Sequence, residues 1–272
     1  MFAEPGKETK YAHGHDGTVL KSHLWRTVEN SAAFFVPYIT PAMKILDVGC
    51  GPGNITTGLA ALVPEGSVTG MDIVEDVLAQ AREYASSKGQ TNLAFVFGSV
   101  FKLDFEDNTF DAVYAHQVLQ HLHDPTAALK EMRRVVKPGG IVAVRDMTHF
   151  LHYPETHELD RFRQIFWKIS DDLGATPGAG SMLQKFAREA GFGVGNITVT
   201  ASPWCFTAYG DLKWWCEMWA DRVLSSDFEK DALATGLTTE AELIQISTAF
   251  TDFAENQDGW YTVLNGELVG RK

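Results

Sequence analysis

Apolar residues between positions 44 and 146 fall into five short runs, each stopping at an acid, a glycine or another polar group. The runs are residues 44–48, 67–73, 94–97, 110–115 and 141–146. Helix-spaced apolar positions lie between them, most clearly from Ile55 and over residues 129–136. Short apolar strands alternating with amphipathic helices predict a parallel sheet covered on both faces. Lys137-Pro138-Gly139-Gly140 is a turn signal ahead of the fifth run.

Beyond residue 146 the pattern loosens. An insertion is expected over about 147–190, with a helix over 159–173, a Gly/Pro-rich loop over 174–180 and a helix over 182–190 capped by Gly191. A strand over 195–200, helices over 211–224 and 240–255, and an alternating strand over 259–270 follow. The expected organisation is a helical leader or lid over residues 1–40 and one domain over 41–272.

The first run ends in Asp47-Val48-Gly49-Cys50-Gly51-Pro52-Gly53-Asn54. Alternate glycines between a strand and a helix allow unusual dihedrals and remove the Cβ atoms that would block a close ligand. A dinucleotide fingerprint would place its third glycine at position 54, where Asn54 stands, and no phosphate-binding lysine follows as a P-loop requires. The second run closes on Asp72, about 25 residues past Asp47, where a carboxylate can accept from two vicinal ribose hydroxyls. Ile73 then offers an apolar face to a base. The fourth run releases His116 and Gln117 at the carboxyl end of a strand, where open α/β sheets bind ligands. His121, one turn on, reads as a capping or packing residue.

These motifs resemble, in order and spacing, those of class I S-adenosylmethionine (SAM) methyltransferases, most strongly over residues 43–146. The resemblance implies a Rossmann-like, doubly wound α/β sheet, mostly parallel with an antiparallel last strand, plus a helical cap. It implies SAM as cofactor and S-adenosylhomocysteine as product. Asp47, Gly49, Gly51, Gly53, Asp72 and Ile73 would form one side of the cofactor site, and His116 and Gln117 would face the methionine part. The family usually carries an Asp after the third strand's glycine; here Ser99 and Val100 follow Gly98, so the adenine contact is weakened. Arg26, in a leader that often closes over the cofactor in this family, suits the methionine carboxylate. The tail resembles relatives of the ubiquinone/menaquinone-biosynthesis C-methyltransferases. The leader resembles a fungal and actinomycete subgroup with gliotoxin-type dithiol bis-thiomethyltransferases among its fungal members.

Bulk properties narrow the substrate. A net charge of −12 and a pI near 5.2 oppose attraction to nucleic acid. No apolar stretch approaches spanning length, no signal-peptide pattern opens the chain, and three cysteines form no disulfide framework, so a cytoplasmic setting is expected. His13 and His15 lie in a glycine-containing turn and suggest no metal. Trp204, Trp214, Trp215 and Trp219 form a dense aromatic cluster, either cap core or the wall of an apolar substrate pocket. The segment Tyr114-Ala115-His116-Gln117 lacks the Asn/Asp-Pro-Pro-Tyr/Phe signature of many methyltransferases acting on amino groups of bases and amides. The favoured expectation is methylation of a small, largely apolar secondary metabolite at a thiol, with His116 as base or positioning group. Methylation at oxygen or carbon of a quinol or aromatic ring is the alternative. A SAM-binding regulator without turnover is the reading from another class.

Overall fold

The computed structural model describes residues 25–207, 209–225 and 227–272. Seven strands build one sheet: β1 (Lys44–Val48), β2 (Ser67–Asp72), β3 (Leu93–Phe97), β4 (Phe110–His116), β5 (Val136–Tyr153), β6 (Ile197–Phe206) and β7 (Trp260–Arg271). Their order is β3-β2-β1-β4-β5-β7-β6. The pairs among β1 to β5 are parallel, and β7 runs antiparallel between β5 and β6. This is the expected doubly wound sheet with an antiparallel last strand. The chain moves outward from β1 to β3 and then returns to β4 on the other side of β1. That reversal opens a crevice at the carboxyl ends of β1 and β4, the natural ligand position of such sheets.

Helices α1 (Asn54–Leu62), α2 (Glu75–Ser87) and α3 (Pro125–Val135) cross over between the parallel strands. Asp124 caps α3 by accepting from Ala127 N, 2.9 Å, with Pro125 at the first helical position. Apolar side chains of β1 and β4 alternate between the two faces, with Leu46 and Val113 in one core layer and Ile45 and Tyr114 in the other.

The second half departs from the expected boundaries. The segment from Met147, expected to start the insertion, instead continues β5 to Tyr153 against residues 260–265 of β7. Likewise β6 runs unbroken to Phe206; Pro203 is tolerated because β6 lies at the sheet edge. Helices α4 (His157–Asp172), α5 (Leu183–Glu189), α6 (Tyr209–Ser225), α7 (Asp227–Ala234) and α8 (Glu240–Ala254) complete the chain, α7 being an element the periodicity did not reveal. α4, α6 and α8 meet over the extended ends of β5 and β7 in a third core containing Phe162, Trp219 and Phe250. Phe206 stacks on Trp215 at 4.4 Å, a contact type worth about 0.5–1.5 kcal/mol beyond area burial.

The described part of the leader is docked on this frame. Thr27 and Asn30 close a reciprocal capping box around the turn Val28–Ala32. The Trp204 indole N–H donates to Asn30 O at 2.7 Å, and the Tyr114 hydroxyl donates to Ser31 O at 2.9 Å. Two strands therefore fix the turn that follows Arg26. His13 and His15 lie outside the described residues.

Candidate functional site

The glycine turn is held open by backbone geometry. Gly49, Gly51 and Gly53 have φ of 68°, 53° and 81°, a region most side chains avoid. A Cβ at Gly49 would stand 2.5 Å from Val118 Cγ2. Gly49 N and Cys50 N both donate to Met71 O, at 2.7 and 3.0 Å, tying the turn to β2. Gly51 N donates to one Asp72 oxygen at 2.9 Å and Val74 N to the other at 3.1 Å. A carboxylate oxygen can accept more than one hydrogen bond, which suits a ligand diol.

Beneath the turn Asp47 is buried and accepts from the Thr56 hydroxyl at 2.6 Å. Burial pushes its carboxyl up to about 7, against the lowering effect of the Thr56 bond, and the charge of Asp72 adds to the rise. Burial also pushes the Cys50 thiol well up, against formation of the thiolate.

Opposite the turn, the end of β4 supplies polar groups in fixed orientations. His116 is 6% exposed, its ring 5.4 Å from that of Trp204. Gln117 has a positive φ of 53°, stabilised by its N–H donating to Arg145 O at 2.7 Å. Its side-chain Nε2 donates to Asn265 Oδ1 at 3.2 Å, and Asn265 Nδ2 donates to Val263 O at 2.8 Å. Asp146, at the fifth run's end, is wholly buried and accepts from Leu119 N and Gln120 N at 3.2 and 3.1 Å. Burial pushes its carboxyl up to about 7.

This anchorage places His121 in the site. Gln120 Oε1 accepts from Met147 N at 3.2 Å, so its Nε2 is the donor facing His121 Nε2 at 3.1 Å. The imidazole then carries its proton on Nδ1. Burial, with the nearby Arg26 charge, pushes its pKa down to about 3, so it is neutral at physiological pH.

Two cavities meet here. The larger, about 180 Å³, is walled by the glycine turn, the end of β2 and the end of β4. Of the residues expected from sequence, Asp47, Gly49, Gly51, Asp72 and Ile73 line it on one side. Arg26, Val100, His116 and Gln117 line it as well. Gly53 and Ser99 do not: Gly53 packs on Ala81 of α2, and the Ser99 hydroxyl accepts from Phe101 N at 3.2 Å within its own loop. The smaller cavity, about 50 Å³, shares Arg26, Gln117 and His121 with the first. Trp204, Trp215 and Trp219 wall it, so these rings are both cap core and cavity lining. Gln120 and Arg222 are lining residues that the sequence did not single out, and His121, read there as a capping or packing residue, lines both cavities.

The chain matches the family model described as a methyltransferase domain over residues 39–191. It is also 36% identical to an uncharacterized methyltransferase of Schizosaccharomyces pombe, covering 100% of this chain and 99% of that protein. The chain belongs to the methyltransferase family. A second relative, named a methyltransferase in Aspergillus luteorubrus, is 32% identical with full coverage of both chains. A crystal structure of a Bacillus halodurans protein assigned to methyltransferases shares the fold, with a TM-score of 0.58 and 19% identity over 89% of this chain and 97% of that one.

The chain is thus a SAM-dependent methyltransferase of Rossmann-like fold. SAM, when bound, supplies an electrophilic methyl group on a sulfonium centre. The larger cavity fits it: an open glycine turn, a carboxylate able to accept from a diol, and Ile73, 44% exposed, for an aromatic base. Among the described residues no cluster of His, Cys, Asp and Glu could hold a metal ion, and no helix is long and apolar enough to cross a membrane.

Proposed function

We propose that this methyltransferase acts on a thiol of a small, largely apolar metabolite that enters the smaller cavity. In this reading Asp72 holds the ribose, Ile73 covers the adenine and Arg26 meets the cofactor's carboxylate. The observation that carries the substrate assignment is the composition of the smaller cavity. Its wall is aromatic with Arg26, Arg222, Gln117, Gln120 and His121 as the polar groups, and no Asp or Glu is among its described lining residues. An ammonium-bearing acceptor would find no carboxylate among those described lining residues, which disfavours amines.

A thiol suits the groups present better than a quinol hydroxyl. With its pKa near 3, His121 cannot hold an acceptor's proton at neutral pH. A thiol titrates near pH ~8.5 and a phenol near ~10, so the thiol needs less help. His116, against Trp204 and lining the larger cavity, is the candidate base or positioning group. The two cavities' shared wall also supports turnover over a purely regulatory SAM-binding role, since an acceptor and a donor would be juxtaposed at Gln117 and His121.

The test is mass spectrometry of products after incubating the purified chain with SAM and matched panels of dithiols, quinols, phenols and primary amines. Methyl gain on dithiols is the expected result. Gain only on ring oxygen or carbon would move the assignment to the alternative, and gain on amines would overturn the charge argument.

A further inference from the structure

Asn265 is wholly buried in β7, between β5 and β6, and lines neither cavity. A buried carboxamide costs free energy unless its polar atoms are paired, so packing alone gives this position no reason to carry one. One of its bonds is local: Nδ2 donates to Val263 O at 2.8 Å, two residues back. The other crosses to the site, where Oδ1 accepts from Gln117 Nε2 at 3.2 Å. Because Nδ2 is committed to a carbonyl, Oδ1 is the end that faces Gln117, and only the amide nitrogen of Gln117 can answer it. The backbone of Gln117 is held as well, its N–H donating to Arg145 O at 2.7 Å. The carboxamide thus has its nitrogen against β7, and its oxygen is the end left for the two cavities, both of which Gln117 lines.

We propose that Asn265 is a positioning residue that turns the Gln117 carbonyl oxygen toward the cofactor's sulfonium. This rests on the reading of the smaller cavity as the acceptor site, which puts the methyl group at the wall the two cavities share. The negative end of a carbonyl dipole favours a positive centre and its polarised methyl C–H groups, whereas an amide N–H in the same place would disfavour them. When the methyl leaves, the bonding pair stays on sulfur and the charge is gone, so the thioether product gains nothing from that oxygen. The pair of Asn265 and Gln117 therefore selects the charged cofactor against its neutral product and favours product release.

Calorimetry with SAM, S-adenosylhomocysteine and 5′-methylthioadenosine tests this as a ratio of affinities. Gln117→Met keeps the length and the unbranched Cβ, and should lower the preference for SAM over S-adenosylhomocysteine about fivefold relative to the parent, the scale of one C–H···O contact. Asn265→Leu should lower it as far, and should change it little when added to Gln117→Met. Uncharged 5′-methylthioadenosine should bind each variant within about twofold of the parent, certifying the fold of the cofactor site. SAM and S-adenosylhomocysteine weakened in equal proportion by Gln117→Met would overturn the sulfonium contact. A ratio lowered by Gln117→Met but not by Asn265→Leu would overturn the positioning role. The acceptor-site reading is judged apart from this by Met147→Trp, at a residue that lines the smaller cavity alone. That variant should keep SAM affinity and lose methyl gain on the dithiol panel; undiminished gain would remove the acceptor-site reading whatever the calorimetric ratio does.

Discussion

Asp72→Ala should remove most of the chain's affinity for SAM, and the structure gives the loss a scale. The carboxylate receives Gly51 N and Val74 N at 2.9 and 3.1 Å, so it braces the glycine turn before any ligand arrives. In the proposed site its oxygens also accept from the ribose diol. A hydrogen bond to a charged group is worth about 1.5–3 kcal/mol, and two lost ribose contacts come to roughly 3 kcal/mol or more. That corresponds to at least about a hundredfold in Kd. Loss of the brace adds to it by loosening a turn whose three glycines hold positive φ. Isothermal titration calorimetry with SAM measures the sum, and thermal unfolding of the ligand-free variant isolates the brace. A Kd within threefold of the parent would refute both the ribose assignment and the reading of this turn.

Further expectations concern single groups. His116→Ala should lower turnover by roughly a hundredfold, the range for a general base, with SAM affinity little changed; equal losses in both would make His116 a cofactor contact. Arg145 and Glu267 form a buried pair at 3.4 Å, and removing Glu267 alone should cost about 3–5 kcal/mol in denaturant unfolding, with Arg145→Met/Glu267→Gln recovering much of it. No recovery in the double variant would mean the pair is not the source of the loss. Asp146 keeps its proton up to about pH 7 when folded and loses it near 3.8 when unfolded, so its contribution is full below 3.8 and falls as pH rises to about 7. Asp146→Asn should therefore flatten the stability profile in that window by up to about 1.4 kcal/mol per pH unit; an unchanged slope would contradict a protonated Asp146.

The glycine-turn wall of the larger cavity was legible because its signals are local. A strand ending in Asp47, a turn needing glycine at 49 and 51, and an acid closing β2 are contiguous signals whose spacing encodes their geometry. The antiparallel β7 was legible from its alternation and from family resemblance. The smaller cavity was not, because it is assembled from distant segments. Trp25, Gln120, Phe150, Trp204 and Arg222 reach one small cavity from five separate stretches of chain. His121 read as a capping residue because nothing nearby in sequence announces that Gln120 and Asp146 will turn it inward. Ser99 shows the converse: a motif position can be recognised while its side chain is satisfied by its own loop.

The most direct measurement is a crystal structure of the chain with S-adenosylhomocysteine and a reduced aromatic dithiol. The account predicts the ribose hydroxyls on Asp72, the adenine against Ile73, and a thiol sulfur at the junction marked by Gln117 and His121, with the ring among Trp204, Trp215 and Trp219. A nucleoside bound away from the glycine turn, or a dithiol absent from the tryptophan-walled cavity, would contradict it.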